Sequence, residues 1–472
     1  MKKIFKFTFM VLLLLSFSTS IFGKKYYLYT THSNINLVNS LNDQKLIGKI
    51  PSKTRVEVLG DKKIEVINHK KIIKDNKEIT VKTTTVELWT KIKYTYNLKN
   101  KIGWVKTKYL TPNYSNFLHK DWEKIEYKNF PKKENYKNNK KIDVKGIYVS
   151  FNSFSSTKKL DSLIKLANET EINTFVIDVK NDFGYLSWKM DKSLLEYNPY
   201  ALDRYYVKNI EKVMQKLKEN NIYTIARIVS FKDPSYGKAH PDKVIRKLKD
   251  NTPYTNSDKI VWISPYDEKI WEYNVAVAKE AAKVGFNEIQ FDYVRFPASN
   301  GGKLDKTVIY PNKKNEGKPV TIQRYLKYAK TELSKLGIYL SADIYGQIGT
   351  FKDDMGLGQY WEGMSGYTDY LSPMMYPSHY ARYSYGVQIP DADPYKIIYH
   401  CTLDSINRNN NIDNPAYIRP WIQDFTARWV KGYIPYGSKE VQLQIDALKD
   451  LGINQYLLWN PANRYHPPKI KH

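Results

Sequence analysis

Acidic side chains interrupt two apolar segments in the second half of the chain. Asp292 lies within Gln290-Phe291-Asp292-Tyr293-Val294, and Asp343 lies within Ser341-Ala342-Asp343-Ile344. Burying an acid in such a segment costs free energy, so a buried acid usually has either a partner or a chemical task. Hydrolysis of a glycosidic bond needs two carboxyl groups in opposite protonation states. We therefore predict Asp292 as the nucleophile or base and Asp343 as the general acid.

Further polar and aromatic residues follow other apolar segments and are candidates for supporting or substrate-binding roles. We expect Arg295 to keep Asp292 ionised, and Asp178 to bind Arg227. The full set of supporting candidates is Asp178, Asp182, Arg227, Arg295, Tyr376, Asp424 and Trp459.

Several of these residues could instead have a purely structural role. Asp292 and Arg295 could form a buried pair that only closes one end of a domain, and Asp343 could be a hydrogen-bonded core residue. Asp182 could form a turn instead of binding sugar hydroxyls. Asp424 could stabilise positive charge at an anomeric carbon or simply belong to a surface loop.

The sequence lacks the residue patterns that other hydrolytic mechanisms require. A metal-dependent hydrolase would carry a His-x-His pair or several His and Asp at strand ends, and no such pattern is present. No Gly-x-Ser-x-Gly segment offers a serine nucleophile, and Cys401 is the only cysteine. We therefore predict no metal and no cofactor, and the same gaps disfavour cleavage of peptidoglycan peptides.

Alternating strands and helices must position these residues. Strands are predicted at 146–149, 175–179, 224–229, 289–294, 340–344, 370–375, 418–422 and 456–459. Helices are predicted between them at 160–169, 207–219, 267–284, 322–336 and 439–451. Eight such units predict an α/β fold, a (β/α)8 TIM barrel, with its active site at the carboxyl ends of the strands. A doubly wound sheet is the alternative, but no glycine-rich phosphate loop follows the first strand.

Several motifs in order resemble a bacterial family of glycosidase-like barrels that was long known only as a domain of unknown function. The matching segments are 144–150, 175–180 with Asp182 and Gly184, 290–297, 343–346 and 371–377. The resemblance covers nearly all of residues 145–465 and implies a glycoside hydrolase barrel related to α-amylase-like and α-galactosidase-like enzymes.

The amylase-like pattern, carried over strand by strand, implies roles for three acids. In those barrels an Asp on the fourth strand is the nucleophile, a carboxylic acid on the fifth strand is the proton donor, and an Asp on the seventh strand assists. Asp292, Asp343 and Asp424 lie on the corresponding predicted strands. This sequence differs in having Asp instead of Glu as the donor, and in placing Arg295 after the nucleophile.

A different organisation precedes the barrel. Lys2, Lys3 and Lys6 stand before the apolar run from Phe9 to Leu15, which predicts a signal peptide at 1–23, with an uncleaved anchor as the alternative. Short strands are predicted from 24 to 112, among them 54–59 and 86–92, and end in Gly103-Trp104-Val105. This pattern resembles a bacterial SH3-like domain and implies binding to the cell wall, although this sequence differs by a charged insertion near residues 61–82. Residues 113–141 are predicted to be a linker, 142–466 the barrel and 467–472 a tail.

Charge suggests which surfaces this chain meets. The net charge is +27, which favours anionic partners such as a cell wall or membrane surface. The lysines are scattered among Asn and Tyr, without a nucleic-acid-binding motif, so no nucleic acid partner is expected. We predict a secreted or envelope-associated glycosidase with a polysaccharide or oligosaccharide substrate. The alternative is a catalytically inactive barrel that binds glycan or cell wall.

Overall fold

The chain forms two compact units, Met1–Phe117 and Leu118–His472. The computed structural model describes residues 25–74, 77–114, 122, 124–299, 301–312 and 314–468. The predicted signal peptide, residues 1–23, lies outside these described residues. Across the described residues, no helix is both long and apolar enough to cross a membrane.

The first unit is an antiparallel sheet, which confirms the predicted all-β region at the N-terminal end of the chain. Its strands are β1 Tyr27–Thr30, β2 Ile35–Val38, β3 Leu46–Ile50, β4 Arg55–Lys74, β5 Lys77–Tyr96, β6 Lys99–Lys106 and β7 Leu110–Thr111. Leu37, Ile50, Val56 and Ile92 are fully buried in its core. The SH3-like assignment stays a prediction.

The charged insertion at 61–82 extends β4 and β5 instead of forming a loop. These two strands pair without interruption from Asp61↔Thr90 to Lys74↔Lys77. The short strands predicted at 54–59 and 86–92 are therefore the base of a long hairpin.

The second unit contains a closed parallel barrel, which confirms the predicted (β/α)8 fold. The strands of this unit are β8 Lys145–Val149, β9 Thr174–Lys180, β10 Tyr223–Val229, β11 Arg246–Lys247, β12 Glu288–Asp292, β13 Val308–Ile309, β14 Tyr339–Tyr345, β15 Tyr370–Met375, β16 Tyr417–Ile418, β17 Trp421–Gln423 and β18 Tyr456–Trp459. Of these, β11 and β13 form a small separate pair outside the barrel. Parallel pairing of β18 with β8, at Leu457↔Gly146, closes the ring. β16 and β17 together form the seventh barrel strand, which is interrupted at Arg419-Pro420 because proline has no N–H to donate.

Helices cover the outside of the barrel. They are α1 Phe151–Phe154, α2 Thr157–Glu169, α3 Ile210–Glu219, α4 Pro234–Ala239, α5 Glu268–Lys283, α6 Lys318–Ser334, α7 Trp361–Ser365, α8 Pro394–Asn409 and α9 Ser438–Lys449. Side-chain caps define several of their first residues. Asn209, for example, accepts a hydrogen bond from the Lys212 N–H at 2.8 Å, and Asp393 accepts one from the Lys396 N–H at 3.2 Å.

Polar side chains fill the amino end of the barrel. Glu288 and Arg419 form a buried ion pair there, and the Arg419 guanidinium lies 4.1 Å from the centroid of the Tyr370 ring. One layer higher, Gln290 Nε2 donates to Ser372 Oγ at 3.2 Å. These layers close the barrel from below, so chemistry is left to its carboxyl end.

From Trp122 onward, the described part of the segment predicted as a linker belongs to the second unit. Trp122, Ile125 and Phe130 are buried. The backbone of Glu126 exchanges two hydrogen bonds of 2.7 Å with the side chain of Gln323 on α6. These three apolar residues, isolated in a polar stretch of sequence, therefore indicate where the segment packs.

Candidate active site

Arg227 is the centre of a charged cluster at the carboxyl end of the barrel. It lies on β10, whose neighbours β9 and β12 place Asp178 and Gln290 beside it in register. Its Nε and Nη2 donate to Oδ2 of Asp292 at 2.9 and 2.6 Å, and its Nη1 donates to Oδ1 of Asp178 at 2.6 Å. Burial acts to lower the pKa of Arg227, but the two carboxylates overcome this and raise it well above its usual range. The guanidinium is therefore a fixed positive charge.

Asp292 ends β12 and is almost completely buried, with 4% of its surface exposed. Its Oδ2 accepts both hydrogen bonds from Arg227, and its Oδ1 accepts one from the Tyr293 N–H at 2.6 Å. These charge-assisted hydrogen bonds favour the ionised carboxylate. Tyr293 has a φ of +48°, a left-handed conformation that is rare for an aromatic residue.

Asp343 lies on β14, the next barrel strand, and has a different environment. It is 1% exposed, and its Oδ1 accepts a hydrogen bond from Nε1 of Trp421 at 2.7 Å. Its Oδ2 is buried and has no hydrogen-bond partner among the described residues. Burial and then the negative charge of Asp292 raise the pKa of Asp343 well above its usual range. Asp343 therefore releases its proton less readily than an ordinary Asp, whereas Asp292 is hydrogen-bonded to the Arg227 guanidinium.

Asp178, which we expected beside Arg227, completes the charged group from β9. Its Oδ2 accepts a hydrogen bond from the Tyr148 hydroxyl at 2.6 Å, while its Oδ1 accepts from Arg227. The Tyr148 ring stacks on Trp459 with centroids 4.4 Å apart. Asp178 thus orients the guanidinium from the side opposite Asp292.

The arginine that pairs with Asp292 is Arg227, and the expectation that Arg295 would do so is wrong. Arg295 donates from Nη1 to the carbonyl of Phe296 at 3.0 Å and lies over the rings of Trp262 and Tyr293. Arg295 lies three residues beyond the last residue of β12, and its guanidinium is 5.1 Å from the ring centroid of Trp262.

Asp182 lies at the edge of the cluster. Its Oδ1 is 3.8 Å from Arg227 Nη2, and its Oδ2 is 3.6 Å from Lys232 Nζ. Its side chain is 30% exposed, which leaves room for a ligand hydroxyl. Lys232 also pairs with Asp258 and lies 4.1 Å from the Tyr293 ring centroid.

Asp424 is turned toward the end of the chain. Its two oxygens accept hydrogen bonds from the backbone N–H and from Nδ1 of His466, both at 2.7 Å. Burial raises the pKa of Asp424 to about 6, although the hydrogen bonds from His466 oppose this. The geometry assigns Asp424 to anchoring the segment around His466 and gives no contact between it and the Arg227 cluster.

Aromatic rings enclose the two acids. Tyr376 is buried, and its pKa is raised by burial and by the charges of Asp343 and Asp292, which shows that it lies near both. Trp421 and Trp459 meet edge to face with centroids 5.5 Å apart. Tyr148 and Tyr293 are members of the site that the sequence did not reveal. Tyr148 lies within a predicted strand and Tyr293 follows the predicted nucleophile, so their positions were the available signals.

The cluster can transfer a proton and stabilise a cationic carbon, and its residues do not suit a metal. Within the described residues, no group of three or more His, Cys, Asp and Glu side chains could hold a metal ion. A protonated acid on one strand and a paired carboxylate on the adjacent strand are the two groups that glycoside hydrolysis uses.

Comparison with known proteins gives one family assignment. A family model described as "Putative glycosyl hydrolase domain" matches residues 146–465. No curated protein matches the chain.

Solved structures are similar to this chain over different lengths. A hypothetical protein from Ruminiclostridium thermocellum ATCC 27405 is 32% identical, with 42% of this chain and 96% of that protein covered and a TM-score of 0.36. The PgaB (BpsB) glycoside hydrolase domain from Bordetella bronchiseptica is 13% identical, with 68% and 94% covered and a TM-score of 0.48. The α-galactosidase TtGalA from Thermus thermophilus is 13% identical, with 81% and 71% covered and a TM-score of 0.41.

Proposed function

The chain belongs to the glycosyl hydrolase family whose model matches residues 146–465, and from this premise we propose that it is an exported glycosidase acting on a polysaccharide. In this proposal, Asp343 is the general acid and Asp292 is the nucleophile or base. Arg227 is a positioning residue that keeps Asp292 charged and fixed.

The observation that carries the proposal is the contrast between two acids on adjacent strands. Asp292 receives two hydrogen bonds from Arg227, whereas Asp343 has no cationic hydrogen-bond partner among the described residues and its pKa is raised. Pairs of titratable groups with such divergent environments mark acid and base roles in enzymes. The Oδ2 of Asp343, buried without a partner, is the atom that would carry the transferable proton.

The reaction follows from these two states. Asp343 Oδ2–H donates its proton to the glycosidic oxygen as the bond from that oxygen to the anomeric carbon breaks. The carboxylate of Asp292 either attacks the anomeric carbon or removes a proton from the water that attacks it. Positive charge that develops on the sugar is stabilised by the carboxylate of Asp292, whose Oδ1 accepts one hydrogen bond, from the Tyr293 N–H, and so keeps a lone pair free.

A catalytically inactive barrel that binds glycan is the second candidate. It is favoured by the burial of Asp292 and by the three hydrogen bonds that its carboxylate already accepts. Under that reading, the Asp292–Arg227 pair closes the barrel end and reacts with nothing.

Turnover by variants separates the two candidates. Wild type, Asp292→Asn and Asp343→Asn would be assayed against a panel of chromogenic glycosides and polysaccharides. We expect hydrolysis by wild type and a loss of about 10²- to 10⁴-fold in kcat/KM for each variant, because each removes a group that acts in the transition state.

The matched control is Asp424→Asn, which alters a buried acid that follows the seventh barrel strand and pairs with His466. This variant should keep kcat/KM within about tenfold of wild type, since its carboxylate does not touch the Arg227 cluster. Glycan binding without turnover by wild type would instead support the inactive barrel.

A further inference from the structure

Exposed aromatic rings lie on two loops that flank the acid pair. Trp429, on the loop after β17, is 69% exposed, and Phe183, on the loop after β9, is 49% exposed. β9 is the second barrel strand and β17 belongs to the seventh, so each loop follows a strand two places from the nearer acid, which is Asp292 on the fourth strand or Asp343 on the fifth. Large rings left in water gain free energy when a ligand covers them.

Trp429 is connected to the acid by a series of ring contacts. It stacks on Phe425 with centroids 5.9 Å apart and planes 20° apart. Phe425 meets the edge of Tyr376 at 5.8 Å and packs against the interior cluster that contains Trp421. Trp421 donates its hydrogen bond to Asp343, so an apolar path runs from solvent to the proposed proton donor.

Phe183 reaches the cluster from the other side. It stacks on Tyr185 with centroids 6.0 Å apart and planes 21° apart, and the guanidinium of Arg204 lies 5.2 Å from the Tyr185 centroid. The preceding residue, Asp182, is 3.8 Å from Arg227. The two exposed rings are therefore backed by other rings, and each is connected through its neighbours to the acid cluster.

We infer that the site takes an extended glycan chain, with one sugar ring stacked on Trp429, another on Phe183, and the cleaved bond between them. This inference rests on the proposed function and deepens it, because a chain held on both sides of the acids is cut at internal bonds. Sugar rings suit these positions since their C–H faces pack on aromatic faces while their hydroxyls stay hydrated.

Binding to neutral polymers tests the inference without relying on turnover. Asp343→Asn protein would be run through native gels that contain glycol chitin, hydroxyethyl cellulose or amylopectin, so that the net charge of +27 cannot produce the binding. We expect at least one polymer to retard it, and expect Trp429→Ala and Phe183→Ala, each added to Asp343→Asn, to weaken that binding about tenfold.

Tyr417→Ala is the matched control, because Tyr417 is 50% exposed but lies at the amino end of the barrel, on β16. It should leave the retardation unchanged. The inference is overturned if no polymer retards the protein, or if both ring variants bind like their parent.

Product size separates the inference from the proposed function. Wild type acting on the bound polymer should release oligosaccharides and lower its viscosity early, and release of single sugars alone would overturn the inference while leaving hydrolysis intact. A polymer that binds through both rings but is never cleaved would refute the hydrolase proposal and leave the two-ring binding surface standing.

Discussion

A single guanidinium sets the charge states of the carboxyl groups around it. Arg227 hydrogen-bonds to both Asp178 and Asp292, and its single positive charge is shared between them. Asp343 receives a hydrogen bond only from the neutral indole of Trp421 among the described contacts and faces the charge of Asp292. Two nearby carboxyls in a buried site do not both ionise, so the one without a cation keeps its proton.

The raised pKa of Asp343 predicts how stability depends on pH. The folded protein holds a proton on Asp343 that the unfolded chain releases near its ordinary pKa of about 3.9, so stability falls as pH rises from that value through the folded pKa. Asp343→Asn removes this dependence. We expect the variant to unfold at a higher temperature than wild type at neutral pH, by about 2–4 °C for each 1 kcal/mol, and to converge with it at low pH.

Thermal unfolding followed from acid to neutral pH measures this effect. Asp161→Asn, which alters an exposed acid on α2, should give a curve parallel to that of wild type. A constant difference between wild type and Asp343→Asn at every pH would show that Asp343 is ionised in the folded protein, and would remove it as the general acid.

Residue types at the site and the pair of Asp178 with Arg227 were predictable from the sequence, but the partners of Asp292 and Asp424 were not. Asp292 and Asp343 could be found because an acid inside an apolar strand is conspicuous. The partner of Asp292 comes from another strand 65 positions away, so the nearer Arg295 was the wrong choice. The role of Asp424 depends on His466, whose approach to the seventh strand no local pattern indicates.

Among the elements, the barrel strands were predicted best and the N-terminal hairpin worst. Buried parallel strands form continuous apolar runs, and the predicted 370–375 and 456–459 coincide with β15 and β18. The arms of β4 and β5 beyond Leu59 carry mostly charged and polar residues, so only short apolar alternations, such as Ile64-Glu65-Val66 and Ile79-Thr80-Val81, mark their extended pairing. Pro420 indicates an interruption in the seventh strand, but that strand was predicted to be continuous.

Gly184 fixes the loop that carries Asp182 and Phe183. Its φ is +78°, and a Cβ there would overlap the carboxylate of Asp233. That carboxylate pairs with Lys180 at 2.7 Å and caps α4 through the Tyr236 N–H at 2.8 Å. We predict that Gly184→Ala lowers the free energy of unfolding by about 1–3 kcal/mol and weakens kcat/KM, because the displaced loop carries two residues of the site.

Gly386→Ala is the control that separates the cost of backbone strain from the cost of steric overlap at Gly184. Gly386 has a φ of +75°, but nothing lies within 4 Å of its hypothetical Cβ. It should show only the left-handed backbone cost of about 1 kcal/mol in urea unfolding, with kcat/KM unchanged. Equal effects of the two substitutions on both measurements would show that the close approach to Asp233 is unimportant.

At the scale of the molecule, two units with separate cores share one strongly positive chain. The core of the first unit contains Leu37, Ile50 and Val56, and the core of the barrel contains Ile147, Phe175 and Ile289. In the acid cluster, Arg227 and Lys232 supply two positive charges beside the carboxyl groups of Asp178, Asp182 and Asp292, so the excess positive charge lies elsewhere on the chain. The net positive charge therefore has a role separate from catalysis, and we propose that it holds the enzyme on an anionic envelope.

This assignment predicts retention outside the cell that salt reverses. Expressed in a bacterium with an anionic wall, the chain should lose residues 1–23, appear in the wall fraction and be released by about 1 M salt, at which the Debye length falls to about 3 Å. Fractionation with and without salt, followed by sequencing of the mature N-terminus, measures this. If retention survives high salt but disappears when residues 24–117 are deleted, the first unit and not the net charge anchors the protein. Recovery of the intact chain only from inside the cell would refute export itself.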